Sequence, residues 1–322
     1  MQYTQLGRAG LRVSRLCLGT MNFGSGTSKE ESFKIMDAAL DAGINFFDTA
    51  NNYGFLTGDL GITETIMGEW FAQGGGRRRR VVLSTKVHED MGDTDDGPNT
   101  KPGLSIYKIR RHFEQSLKRL QTDHIEIYYM HHIDRNVQPE EAMSAFENLY
   151  DRGLIDYIGT SNFPAWQIAR YLNYSESKKS LGIVVEQDRY NLMARLPELE
   201  LLPACGTLGV GFVAWGPLNG GLLAAPSKDS NRRPKEVSPE VKKQLDDFAK
   251  LCDDAGIVQQ DMALAWMLAD ERVTAPIIGV RTLEHFNQTL KVLDVNLTED
   301  IMKRLDEIFP GHGGEAPEAY AW

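Results

Sequence analysis

The chain is short of the features that mark secreted scaffolds, membrane proteins and nucleic-acid binders. Its three cysteines, Cys17, Cys205 and Cys252, are odd in number, far apart and without a Cys-x-x-Cys, which excludes a disulfide framework and a structural zinc pattern. No apolar run reaches the roughly 18 residues that a membrane helix needs. The start, Met1–Gln5, lacks the charged-then-apolar order of a secretion signal, so a reducing cytoplasm is the expected setting. Positive charge is also scarce: 35 Lys and Arg against 45 Asp and Glu leave a net charge of −10. An acidic surface argues against nucleic acid or an anionic membrane as partner. The one basic run, Arg77–Arg80, reads as a solvated turn between a helix and a strand. Missing, too, is a Gly-x-Gly-x-x-Gly after the first strand, which speaks against a doubly wound dinucleotide domain.

What is present is an alternation of short apolar runs and amphipathic stretches with no low-complexity break. Strands are expected at Arg15–Leu18, Ile44–Phe47, Val81–Ser84, Ile125–Met130, Ile155–Thr160, Ile183–Gln187, Val210–Ala214 and Ala275–Ile278, short and apolar as in a parallel sheet buried on both faces. Helices are expected at Ser28–Asp41, Ser105–Leu120, Glu140–Arg152, Pro239–Ala255, Gln259–Leu268, Leu283–Leu293 and Thr298–Phe309. Phe33, Met36, Ala39 and Leu40 form a helical stripe, and Gly43 follows as a stop. Eight such units in 322 residues fit one closed (β/α)8 TIM barrel over residues 1–322 better than two domains. Tyr3–Leu6 and Leu11–Ser14 around Gly7–Gly10 predict an N-terminal β-hairpin that plugs the barrel floor. Three long connectors, Gly54–Ile62, Val87–Gly103 and Ala224–Val237, all follow strands and so belong to the rim that carries chemistry in barrels. Trp70, Trp166 and Trp266 read as helical packing residues. Cys17 reads as a small buried residue in the first strand.

Four residues stand at or just past strand ends: Asp48, Tyr53, Lys86 and His131. In a barrel they share one rim. A free phenol titrates near 10, too high for easy proton transfer at neutral pH. An ammonium beside it is expected to lower that value, and a carboxylate keeps the ammonium charged. An imidazole alongside can hold a carbonyl oxygen. Such a set suits protonation of an oxygen that becomes an alkoxide, as carbonyl reduction by hydride requires. His132, next in the strand, is expected to point the other way. Schiff-base chemistry at Lys86 and a metal hydrolase built on His131, His132 and Asp134 are weaker alternatives, and no metal is expected.

The segments Asp48–Gly54, Ser84-Thr85-Lys86, Tyr128–His131 and Gly159–Phe163 resemble, in order, those of the aldo-keto reductases, and the likeness runs from Leu6 to Ile308. The resemblance implies a barrel binding NADPH across its rim, with NAD(H) a lesser choice. It makes Tyr53 the general acid, Lys86 its pKa modulator, Asp48 the lysine's partner and His131 the carbonyl-orienting residue. It further implies cofactor contacts from Gly19, Thr20, Met21 and Asp48, and a carboxamide site from Ser161, Asn162 and Gln187. Trp215 would stack on the nicotinamide, and Gly216, Pro217, Leu218 and Gly220 would cradle the pyrophosphate. Gly279 and Arg281 would meet an adenosine 2′-phosphate, with His285 and Thr289 where relatives often carry glutamine and asparagine. Three further stretches, Trp70–Arg77, His131–Arg135 and Pro197–Pro203, look like actinobacterial reductases of keto-deoxysugars or polyketide antibiotics. The expected substrate is therefore a small-molecule carbonyl compound of the bulky ketone or keto-sugar kind. A non-catalytic role is the competing expectation, since potassium-channel β subunits share this barrel. The tail Gly311–Trp322 is expected to cover the pocket or dock on a second copy in a homo-oligomer.

Overall fold

The structure is a computed structural model that describes residues 1–225, 236–316 and 319. The expected Ala224–Val237 connector therefore falls largely outside the described residues, as do Tyr320 and Trp322 of the tail.

Eight parallel strands close into a barrel in chain order: β3 (Cys17–Gly19), β4 (Phe46–Asp48), β5 (Val82–Val87), β6 (Ile125–Met130), β7 (Ile155–Ser161), β8 (Ile183–Arg189), β9 (Gly211–Trp215) and β10 (Val273–Ile278). The antiparallel hairpin β1 (Tyr3–Gln5) and β2 (Arg12–Ser14) precedes them. Helices α1 (Lys29–Asp41), α2 (Ile62–Ala72), α3 (Ile106–Leu120), α4 (Pro139–Asp151), α5 (Ala165–Lys178), α6 (Leu201–Leu208), α8 (Gln259–Ala269) and α9 (Leu283–Thr289) wrap the outside, with α7 (Pro239–Ala255) and α10 (Glu299–Ile308) added to the ring. Serines placed before the apolar stripes start two of them: Ser28 and Ser105 accept from the amides of Glu31 and Lys108, satisfying donors that a helix end leaves open.

Alternation along the strands sorts the core into two. Inward-facing Cys17, Phe46, Ile127, Tyr129, Val185, Val213, Ala275 and Ile277 fill the barrel, while Phe47, Leu83, Tyr128, Phe212 and Ile278 pack under the helices. Gly159 serves this packing, because a Cβ there would lie 2.5 Å from the Tyr129 ring. The hairpin does plug the floor: Leu6, Ala9 and Val13 are buried within the inner cluster, and the Arg8 amide donates to Gly209 O at 2.7 Å.

Most strands run one to three residues nearer the rim than their apolar runs suggest. Asp48 ends β4 and Lys86 lies inside β5, paired in register with Tyr129. Polar side chains keep ladder pairing where the rim supplies them with partners. Two surface readings are corrected. Trp166, at the start of α5, is 52% exposed rather than packed, because Ala165, Ile168, Tyr171 and Leu172 take the buried face of that helix. Arg77 and Arg78 are not free in solvent: Arg77 Nε bonds Asp37 at 2.9 Å and Arg78 pairs with both oxygens of Glu126 at 3.0 Å.

Candidate active site

Four neighbouring units of the barrel bring their polar residues to one point. Register aligns Gly19, Asp48 and Ser84 across β3, β4 and β5, so Asp48 sits at the mouth between two strands. Lys86 points inward from β5 and is fully buried. Its ammonium donates to Asp48 Oδ2 at 2.5 Å, to Thr49 O at 2.8 Å and to Tyr53 Oη at 3.0 Å. All three protons therefore have acceptors. Asp48 is held in turn by Ser84 Oγ at 2.8 Å and Gln187 Nε2 at 2.9 Å, both on Oδ1. Thr20 fixes the same residue through its backbone, with N and Oγ1 donating to Asp48 O at 3.0 and 2.9 Å.

Burial lowers the Lys86 pKa, but Asp48 and Tyr53 more than offset it, so the side chain ends above the ordinary lysine value and stays charged. The effect on Tyr53 differs from the expectation. Burial pushes the phenol up, and the Lys86 cation pulls down without overcoming it, with Asp48 adding to the rise. The phenol is thus a firmly protonated donor rather than an acidic one, because desolvation of a phenolate outweighs one cation shared with a carboxylate.

His131 follows β6, its amide donating to Val87 O at 3.0 Å, and its ring lies 6.1 Å from that of Tyr53. Burial, reinforced by Lys86, His132 and His88, holds it well below the usual imidazole range, so it is neutral. Its Nδ1 is buried with no partner. His132 does not point away: its ring stacks on that of His131 at 4.9 Å with 14° between planes. The strand ends at Met130, and beyond it side-chain alternation no longer applies. Asp134 is likewise committed, its oxygens accepting from the amides of Asn136 at 2.9 Å and Leu104 at 3.0 Å. Among the described residues no group of three His, Cys, Asp or Glu could hold a metal ion, and no helix is long and apolar enough to cross a membrane.

The remaining rim residues line a path away from this centre, and several engage one another. Asn162 adopts a left-handed conformation with φ 61°, in the turn where the Phe163 amide donates to Glu186 Oε1 at 3.0 Å and Thr160 Oγ1 bonds the same buried carboxyl. Asn162 Nδ2 donates to His131 O at 3.0 Å and to Ser161 Oγ at 2.9 Å, and its Oδ1 accepts from the Trp215 indole at 3.1 Å. Gln187, expected at a carboxamide, donates from Nε2 to Asp48 Oδ1 at 2.9 Å. After Trp215 the backbone turns through Gly216, Asn219, Gly220 and Gly221 with φ of 67°, 48°, 69° and 97°. Left-handed turns of this kind aim amides outward and suit phosphate oxygens, and a Cβ at Gly216 would meet nothing within 4 Å. Asn191 Nδ2 donates to Gly216 O at 2.8 Å and Arg189 bonds Asn219; neither was singled out from sequence.

Across the rim, Gly19 is confined, since a Cβ would lie 2.4 Å from Ile277 Cγ2. Met21 is partly exposed beside it, and Asn22, also unforeseen, donates to Gly279 O at 3.2 Å. Arg281 is half-buried at the head of α9. The Leu283 amide there is already taken by Glu31 Oε1 at 2.7 Å, a bond that draws Glu31 below the ordinary carboxylate value. Thr289 Oγ1 donates to His285 O at 2.8 Å, so of this expected pair the threonine hydroxyl is turned to its own helix.

The closed barrel carries on its C-terminal rim a buried lysine that joins a carboxylate to a phenol. Residues 15–309 match the model described as the Aldo/keto reductase family, and the chain belongs to that family. It is 52% identical over the whole of both chains to the oxidoreductase YrpG of Bacillus subtilis. It is 31% identical to a probable voltage-gated potassium channel subunit beta of Arabidopsis thaliana, covering 99% of this chain and all of that one. To norsolorinic acid reductase of Aspergillus flavus it is 30% identical, covering 94% of this chain and 79% of the relative.

Proposed function

We propose that this protein is an NADPH-dependent carbonyl reductase that converts a bulky ketone or keto-sugar to an alcohol in the making of a natural product. The observation that carries the reading is the Tyr53 hydroxyl 3.0 Å from a charged, fully buried Lys86. When bound, the dinucleotide supplies the hydride. Tyr53 gives its proton to the carbonyl oxygen, and Lys86 stabilises the phenolate left behind. Asp48, gripped by Ser84 and Gln187, holds the ammonium where that charge appears. Neutral His131 orients the carbonyl without competing for the proton. A Schiff base at Lys86 is disfavoured, because the amine is charged and its three protons are engaged.

Trp215, the turns from Gly216 to Gly220 and Arg281 would hold the dinucleotide. Arg281 supports a 2′-phosphate, whereas Glu31 beside the α9 amide opposes it. A cytoplasmic setting belongs to the same proposal, supported by three free, buried cysteines. The relative named as norsolorinic acid reductase supports a polyketide-like ketone, and the potassium-channel relatives support a regulatory alternative. NADPH consumption measured against keto-sugars, aromatic polyketide ketones and small aldehydes tests the reading, with Tyr53→Phe as control. Turnover of large ketones that vanishes in the control is expected; turnover of small aldehydes alone overturns the substrate class, and tight NADPH binding without any turnover favours the regulatory alternative.

A further inference from the structure

Beside the apolar face of α3, where Ile109, Phe113 and Leu120 enter the core, runs a stripe of polar residues. Lys108, Arg111, His112 and Gln115 are spaced i, i+3, i+4 and i+7, one stripe on a helix. Each grips the long connector between β5 and α3. Lys108 Nζ donates to Thr100 O and Lys101 O at 3.0 and 2.8 Å. Arg111 Nε bonds Asp96 Oδ1 at 2.7 Å, His112 Nε2 bonds Asp96 Oδ2 at 2.9 Å, and Gln115 Nε2 bonds Asp93 Oδ2 at 2.6 Å. The neck is closed by Gly103 N donating to His88 O at 2.8 Å. This rim connector is strapped down rather than free to swing.

His112 reaches further than the others. Its Nδ1 lies 3.2 Å from Asn51 Nδ2, and Asn51, His112 and Asp96 are all buried. Asn51 is two residues before Tyr53, in the turn whose amides at Asn51 and Tyr53 bond Lys86 O and Ala50 O. With the amide donating to Nδ1, the imidazole proton sits on Nε2 and points at Asp96. Burial keeps the ring below its ordinary value despite Asp96, with Lys108 and Arg119 also opposing its charge.

We propose that His112 is a positioning residue that ties the turn presenting Tyr53 to the rim connector between β5 and α3, through Asn51 on one nitrogen and Asp96 on the other. The proposal rests on the reductase reading for its kinetic consequences. A displacement of about 1 Å at the donor can lower a rate a hundredfold, which is why a group without substrate contact matters here.

Two substitutions divide the imidazole. His112→Asn retains an acceptor near Nδ1 for Asn51 and loses Asp96. His112→Gln retains a donor near Nε2 for Asp96 and loses Asn51. His112→Gln is expected to lower kcat roughly tenfold or more while KM and NADPH binding, followed by fluorescence, hold. His112→Asn is expected to keep kcat within about twofold, raise KM several-fold and speed amide exchange across residues 88–103. Equal effects of the two on kcat and KM, or a change in melting temperature alone, would overturn the proposal. If His112→Gln fails to fold, Asn51→Ala cuts the same bond from the other side and is expected to show the same loss of kcat. If the unmodified protein reduces no carbonyl, it is the reductase reading that fails. Amide exchange then decides the tie alone: faster exchange of residues 49–54 in His112→Gln, and of 88–103 in His112→Asn, upholds it, and uniform exchange rejects it.

Discussion

The two arcs of the barrel rim differ in what holds them. At the ends of β4 and β5 the charged groups are paired: Lys86 has three acceptors, Asp48 has three donors on its side chain and two on its carbonyl, and Tyr53 faces the cation. Around β7 to β10 several polar groups also bond within the fold, Asn162 to Trp215, Gln187 to Asp48, Thr289 to His285 and Glu31 to Leu283. The first arc centres on a buried ion pair, and the second is held mainly by hydrogen bonds between neutral groups. Preorganised charge favours rate, since nothing has to reorganise during the reaction. Hydrogen bonds between neutral groups are each worth only about 1 kcal/mol net.

Experiments can break this contrast. Tyr53→Phe carries the largest expected effect, a loss of roughly 10²–10⁴-fold in carbonyl reduction with dinucleotide binding retained by fluorescence; comparable losses of both would mean that the arcs are not separate. Lys86→Met is expected to abolish reduction and to cost roughly 3–5 kcal/mol of stability, because the Asp48 carboxylate is left buried and unpaired. Combining it with Asp48→Asn should restore much of the lost stability in a denaturant melt and none of the activity, and simple additivity would contradict the buried pair.

A pH profile of the reduction rate comes next. Tyr53 lies above its ordinary value, so the alkaline fall belongs above a pH of about 10. His131 lies well below its own, so its protonation affects only the acid side, below about 6.5. The rate should be flat through neutrality, and a limb centred near pH 7 would mean that one of these groups titrates differently. The smallest effect is expected in the cofactor arc. Glu31→Gln removes a negative charge beside α9 and should tighten NADPH about two- to fivefold at low salt, leaving NADH unchanged; an equal change for both would remove Glu31 from any part in selecting between them.

Much of this was legible in the chain itself. Short apolar runs at steady spacing announced the eight strands, and serine before an apolar stripe announced α1 and α3. Asp48, Tyr53, Lys86 and His131 could be picked out because each follows such a run. Less legible were residues whose role depends on what stands opposite. Ser84, Gln187, Asn22 and Asn191 carry no local signal that they brace the site, and the exposure of Trp166 follows from where α5 sits. His132 was misjudged because strand alternation was carried past Met130.

Local chemistry alone therefore determined the number of strands, the closed barrel and which polar residues stand at its rim, since hydrophobic periodicity and residue type are properties of the chain. The proton balance among those residues was decided only by folding. Whether the phenol is acidic or firmly protonated turns on how deeply it is buried against how near the cation and carboxylate lie, and those distances exist only once β4 and β5 stand side by side.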